Sequence, residues 1–231
     1  MSELNVTAAG AYEHVLNELI PAFSREEGVE IKLAVANAAG VIKRLEDREV
    51  VDVVFSSAAG ITHLVSAGLA DAKTVTEIGR VGLGIAVQSG LPLPDLSTGT
   101  AVRAALVSAT RVAFIDPKGG GTSGPFIAKL FETLGIAAQM TGQGVSCKTG
   151  RDVVRAVAAG EATLGITQAT ELIGAKGVQF AGYLAPDVQV TSVYSGAVAT
   201  SAKAPDAASR FIAFLKSQAG ADAFRRAGWS I

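Results

Sequence analysis

One pattern limits this chain more than any other: an apolar strand, a turn of small residues and a helix, three times in succession. Residues 4–7 form the first strand and Ala8, Ala9 and Gly10 the first turn. Tyr12, Val15, Leu16, Leu19, Ile20 and Phe23 then recur at helical spacing up to Gly28, with Pro21 expected to bend the later part. Residues 29–36 alternate as a second strand, residues 37–40 turn, and residues 41–48 are a helix. Residues 50–55 are nearly all apolar, as a strand buried on both faces is, and residues 56–60 turn into a helix that Gly68 stops. This order predicts an α/β fold with a parallel sheet whose turns gather at its carboxyl edge, where such sheets hold ligands.

The most distinctive turn lies further on, in RVAFIDPKGGGTSG at residues 111–124. Residues 112–115 read as a buried strand, and Gly119, Gly120 and Gly121 permit backbone angles that side chains forbid. Thr122 and Ser123 follow, and Pro125 stands where a first helical residue belongs. A strand, a glycine turn, hydroxyls and a helix start together point backbone N–H groups and a positive dipole end at one spot, which makes an anion cradle. The competing reading is a plain strand-to-helix turn with Ser123 as N-cap. Neither a Walker loop nor the dinucleotide fingerprint fits the spacing.

Around this stretch the alternation continues. Residues 81–88 are a strand, residues 91–94 (LPLP) an extended break, and residues 102–108 and 126–134 helices. Thr149 and Asp152 fit a capping box ahead of a helix over 153–158, and residues 163–167 form a strand. Residues 188–199 are β-rich, and residues 204–226 are helical with Phe211, Phe214 and Leu215 on one face. The layout suits two lobes crossed twice by the chain, near 81–85 and 190–195. Lobe one is then 1–82 plus 195–231, and lobe two 83–194.

Composition excludes several classes. With 49% hydrophobic and 18% charged residues and a net charge of −1, the chain reads as a globular protein without a basic stripe for nucleic acid. Its apolar runs are broken well before membrane-spanning length. Cys147 is the single cysteine, which excludes an internal disulfide, and with no His or acid beside it in sequence it does not read as a nucleophile. No metal or cofactor is expected, since no Cys/His cluster has ligand spacing. His14 and His63 read as structural or solvated. No signal peptide pattern is present; the expected location is periplasmic if a leader was removed ahead of Met1, and cytoplasmic if Met1 is the native start. A monomer is expected.

Five segments carry a family resemblance: TAAGAY (7–12), IPAFSREEGV (20–29), VVDVVFSSAAGI (50–61), DVVRAVAAGEATLGITQATEL (152–172) and PDAASRFIAFLKSQAGADAFRRAGW (205–229). Together they resemble periplasmic solute-binding proteins of the molybdate-binding type. The resemblance implies the two-lobed type II periplasmic-binding-protein-like fold, a small anionic solute in a cleft between the lobes, and an ABC-transporter permease as partner. Carried over by position, the family's oxyanion contacts fall at Gly10, with Ala11 beside it, and at Ala38, Ser123, Val153 and Gln168. The first and second turns usually offer serine hydroxyls and the last position a Tyr, so this chain departs at Gly10, Ala38 and Gln168. Two lost hydroxyls cost a desolvated tetraoxyanion roughly 1–3 kcal/mol each. The remaining neutral donors are Tyr12, Asn37, Ser56, Ser57, Thr122, Ser123 and Gln168, and Lys118 and Arg151 add charge. That set suits a di- or tricarboxylate better than molybdate. Residues 81–98 and 166–173 also resemble the branch of this family that includes aconitate isomerase. That branch implies a cofactor-free isomerase, for which Tyr12, Asp116 and Lys118 are the candidate bases, although the favoured role of Asp116 is to hold the glycine loop through N–H bonds.

Overall fold

The computed structural model describes residues 2–231, and the chain separates into two α/β units. The first runs up to Arg80 and resumes with Ser192–Ile231, and the second is Val81–Thr191. The chain therefore crosses twice, at 80/81 and 191/192, where the sequence reading had 82/83 and 194/195. Met1, on which the choice between a removed leader and a native start turns, lies outside the described residues.

In chain order the strands are β1 (Ser2–Ala9), β2 (Val29–Ala36), β3 (Val53–Ser57), β4 (Thr76–Gln88) and β5 (Val112–Ile115), then β6 (Gly144–Cys147), β7 (Leu164–Gln168), β8 (Val178–Tyr183) and β9 (Thr191–Val198). The helices are α1 (Glu13–Glu27), α2 (Ala38–Glu46), α3 (Ala58–Ser66), α4 (Gly99–Ser108), α5 (Gly124–Thr133) and α6 (Ala137–Gln143). They continue with α7 (Gly150–Ala158), α8 (Ala169–Leu172), α9 (Pro205–Leu215) and α10 (Gln218–Arg226). Pro21 lies inside α1, which runs on through it. The expected final helical region is two helices, parted where Ser217 caps α10 by accepting from the Gly220 N–H at 3.2 Å. Strands β6 and β8 and helix α6 carry weak signals. The first is only four residues long, the second follows Gly177 and contains Gly182, and the third carries Gly142.

In the first unit β1 pairs in parallel with β2 and β3, and β9 returns antiparallel to β3. Registry places Ala9 beside Ala36, Ala8 beside Phe55 and Ser57 beside Tyr194. The three turns that follow β1, β2 and β3 therefore leave the sheet at one edge, as the repeated pattern requires. Strand β3 is wholly buried from Val53 to Phe55, and its side chains alternate between the two faces. Val54 packs with Val41, Leu45, Ile61 and Leu64 of α2 and α3. Phe55 points the other way, 5.1 Å from the Tyr12 ring and 6.1 Å from Phe211, centroid to centroid. Opposite Phe55, position 196 must be glycine, because a Cβ there would run into the Phe55 ring.

In the second unit β5 lies between β6 and β7, parallel to both. Strand β4 runs antiparallel to β7 and to β8. Ile115 sits beside Cys147 and Phe114 beside Ile166, so the turns leaving β5, β6 and β7 also share one edge. Beneath them Val112, Ala113, Ile115, Ile127, Val153, Val157 and Ile166 form one apolar cluster.

Candidate functional site

The edge of the second unit's sheet brings together the candidate residues Asp116, Ser123, Arg151 and Gln168 at the ends of β5, β6 and β7. Between β5 and α5 the loop folds back tightly. A Cβ on Gly124 would sit 2.6 Å from the Asp116 carbonyl oxygen, and one on Gly121 would sit 2.7 Å from the Ile115 side chain. Of the three successive glycines only Gly120 takes a left-handed conformation, at φ +76°; Gly121 is required by space, and a Cβ on Gly119 would be tight, at 3.1 Å from the Asp116 Cβ. Asp116 holds the loop as expected, its Oδ1 accepting the Lys118 N–H at 2.9 Å, and Lys118 itself is exposed.

Ser123 ends the loop at the start of α5, 3% exposed, and its hydroxyl makes no capping bond to that helix. Its backbone is already helical there, at φ −80° and ψ −20°, whereas a capping residue is typically extended. The hydroxyl lies instead 3.4 Å from Thr167 Oγ1 on β7. Thr122 is half-buried beside it.

Strand β6 delivers the next turn. Thr149 and Asp152 make the expected capping box, Thr149 Oγ1 accepting from the Asp152 N–H at 3.2 Å and Asp152 Oδ2 accepting from the Thr149 N–H at 3.1 Å. Helix α7 therefore starts firmly at Gly150, with Arg151 exposed and Val153 fully buried in the core. Val153 can offer a ligand only its backbone. Gln168 closes β7 at 3% exposure, directly before α8.

Two residues here escaped the sequence reading. Thr167, 0% exposed, donates to Glu171 Oε2 at 2.7 Å, and Glu171 carries its carboxyl group back against Gly150, where a Cβ would collide with all three carboxyl atoms. The signal was present in GITQAT-E: an acid four residues after the penultimate strand residue, across a strand-to-helix junction.

In the first unit the three turns stand at helix starts along one edge. Gly10, Ala11 and Tyr12 form a single 3-10 turn leading into α1. Asn37 caps α2, its Oδ1 accepting from the Gly40 N–H at 2.8 Å, and Ala38 is the first helical residue. Ser57 caps α3, accepting from the Gly60 N–H at 3.2 Å. Ser56 is 0% exposed, and its hydroxyl is buried with no hydrogen-bond partner in the described structure.

Tyr12 belongs to a different environment from the one a base needs. Its ring is fully buried between Phe55, Tyr194, Phe224 and Trp229, the closest centroid 4.8 Å away, and its hydroxyl donates to the Ser195 carbonyl at 3.2 Å. Burial, with Tyr194 beside it, pushes the phenol well above its ordinary range. The geometry makes it an aromatic core residue. Of the three candidate bases, Asp116 and Lys118 are the accessible ones.

Cys147 ends β6, and burial pushes its thiol up to about 11. His63 is exposed with Nε2 3.3 Å from Glu46 Oε1. Among the described residues no group of three or more His, Cys, Asp and Glu is placed to hold a metal ion, and no helix is long and apolar enough to cross a membrane.

Comparison with known proteins agrees with this architecture. An aconitate isomerase of a Pseudomonas species is 27% identical over 99% of this chain and 87% of its own length. The periplasmic molybdate-binding protein of Azotobacter vinelandii superposes with a TM-score of 0.85 at 17% identity, covering 99% of both chains. A sulfate-binding protein of Mycobacterium tuberculosis reaches 0.76 at 18% identity, covering 99% of this chain and 86% of its own. These likenesses identify the fold as that of the type II periplasmic binding proteins, two α/β units crossed twice by the chain. Residues 4–230 match the family described as bacterial extracellular solute-binding protein, and the chain is a member of that family.

Proposed function

We propose that this chain captures a small organic anion, a di- or tricarboxylate rather than molybdate or sulfate, and hands it to an ABC-transporter permease. The observation that carries the reading is Ser123. It is a buried hydroxyl at a helix start beside a glycine loop, and it does not cap its own helix. A polar group placed so at an anion-favouring dipole end serves a ligand oxygen better than it serves the fold. Gln168, Thr122 and the backbone of α7 near Val153 are the other contacts proposed from this unit. Gly10, Ala11, Asn37, Ala38, Ser56 and Ser57 are those proposed from the first. Tyr12 enters only through its backbone, and Asn37 and Ser57 mainly through the helix starts they cap.

The case against molybdate is chemical. Gly10 and Ala38 bring no hydroxyls to turns where the molybdate-binding pattern has serines, and Gln168 stands in place of a Tyr. Arg151 and Lys118 add charge suited to separate carboxylates. A thermal-shift panel tests this. Citrate, trans-aconitate or a dicarboxylate is expected to stabilise the protein by about 2.7 kcal/mol at a hundredfold excess over its Kd, with molybdate and sulfate leaving it unchanged. Strong stabilisation by molybdate alone refutes the reading.

A second reading is favoured by the aconitate isomerase relative. On this reading a base removes a proton from the methylene carbon beside the double bond, the electron pair shifts through the allylic anion, and a proton returns at the far allylic carbon. Asp116 or Lys118 is then the base, and Ser123 and Arg151 hold carboxylates. The measurement is NMR of cis- or trans-aconitate incubated with the protein in deuterated water. Interconversion with deuterium at the allylic carbon establishes the enzyme, and tight binding without conversion leaves the capture reading in place.

A further inference from the structure

We infer that Glu171 is a built-in carboxylate of the anion site and the residue that turns tetrahedral dianions away from it. The inference rests on the carboxylate-capture reading and deepens it.

The capping box fixes the start of α7 at Gly150, and the first N–H groups of a helix have no partner within it. That start is where an incoming oxyanion would seat. An anionic side chain already stands beside that start, because the Glu171 carboxyl group lies against Gly150, where a Cβ would collide with it. Glycine at 150 is thus what lets the carboxylate approach the helix start so closely. A hydroxyl from β7 holds it there, and a second hydroxyl backs the first. Thr167 on β7 is 0% exposed and has one hydroxyl proton, which it donates to Glu171 Oε2 at 2.7 Å. With that proton committed, the 3.4 Å contact between Ser123 and Thr167 has Ser123 as its donor. The hydroxyl protons of α5 and β7 therefore run toward Glu171, in the order Ser123, Thr167, Glu171.

This arrangement discriminates between ligands. The weak outer contact is the one that yields first, so Ser123 can turn its proton to a single carboxylate oxygen while the Thr167–Glu171 bond stays intact. A tetrahedral dianion needs several donors at once, including the start of α7. It would have to displace Glu171 or sit against it charge to charge.

The test measures molybdate and trans-aconitate binding by isothermal titration on the wild type, Glu171→Ala and Glu171→Gln. Folding of each variant is checked by circular dichroism and melting, and the Gln variant keeps the side chain's size should Ala fail to fold. Molybdate is expected to bind both variants at least tenfold more tightly than the wild type, most in Glu171→Ala, where the Thr167 proton is also released. A wild type that binds trans-aconitate while both folded variants leave molybdate affinity unchanged overturns the role of Glu171 and spares the carboxylate reading. A wild type that binds molybdate and no carboxylate overturns both.

Discussion

At the scale of single residues, the informative contrast is between two hydroxyls at helix starts. Ser57 spends its oxygen on the Gly60 N–H and so belongs to α3. Ser123 makes no such bond and stays buried, with Thr167 at 3.4 Å. Replacing Ser123 with Ala is therefore expected to leave the unfolding midpoint in urea nearly unchanged. Affinity for a carboxylate ligand should fall about tenfold, which is about 1.4 kcal/mol, close to the lower end of the range for a bond to a charged oxygen. A loss of stability near 1 kcal/mol with affinity retained would make Ser123 an ordinary cap. The sequence shows Ser123 at a turn, but a hydroxyl's choice between its own helix and a neighbouring strand is a tertiary matter. The same holds for Tyr12. Its helical spacing marks it as inward-facing, yet only the packing of residues as distant as Phe224 and Trp229 shows that its phenol is enclosed.

At the scale of elements, the repeated strand, small turn and helix were legible because each carries local signals: β-branched runs, small turn residues and helical periodicity. The capping box at Thr149 and Asp152 was readable from four residues and is present as read. Thr149→Ala removes the hydroxyl side of that box and should cost about 1 kcal/mol in equilibrium unfolding, with early amide exchange confined to the first turn of α7. Unchanged exchange there would mean that Asp152 alone holds the helix start. Strands β6 and β8 were less legible, because a four-residue strand and one broken by a bulge between Ile85 and Ala86 of its partner get their register from neighbours. Glu171 was missed for a related reason. It lies four residues past Thr167 in the sequence, but its approach to Gly150 depends on β6 and β7 each standing next to β5.

At the scale of the whole molecule, the first unit is assembled from both ends of the chain. Asp52, 1% exposed, ties them together, accepting from the Asn5 N–H at 2.8 Å and the Lys203 N–H at 2.7 Å. Asp52→Ala leaves both N–H groups without this acceptor and is expected to destabilise the first unit by on the order of 3 kcal/mol, read by tryptophan fluorescence since Trp229 belongs to that unit. A shift below 1 kcal/mol would show that water replaces the carboxylate readily. The same division sets an order of events during synthesis. A ribosome releases Val81–Thr191 as a continuous segment, able to close its own core as soon as it emerges. The earlier residues must wait, because β9, α9, α10 and the Trp229 ring that covers Tyr12 are made only after that segment. Until β9 and α9 have been made, β3 lacks one of its two neighbouring strands and Phe55 its Phe211 contact, so the part of this unit that is translated ahead of Val81 becomes native only after the segment that follows it.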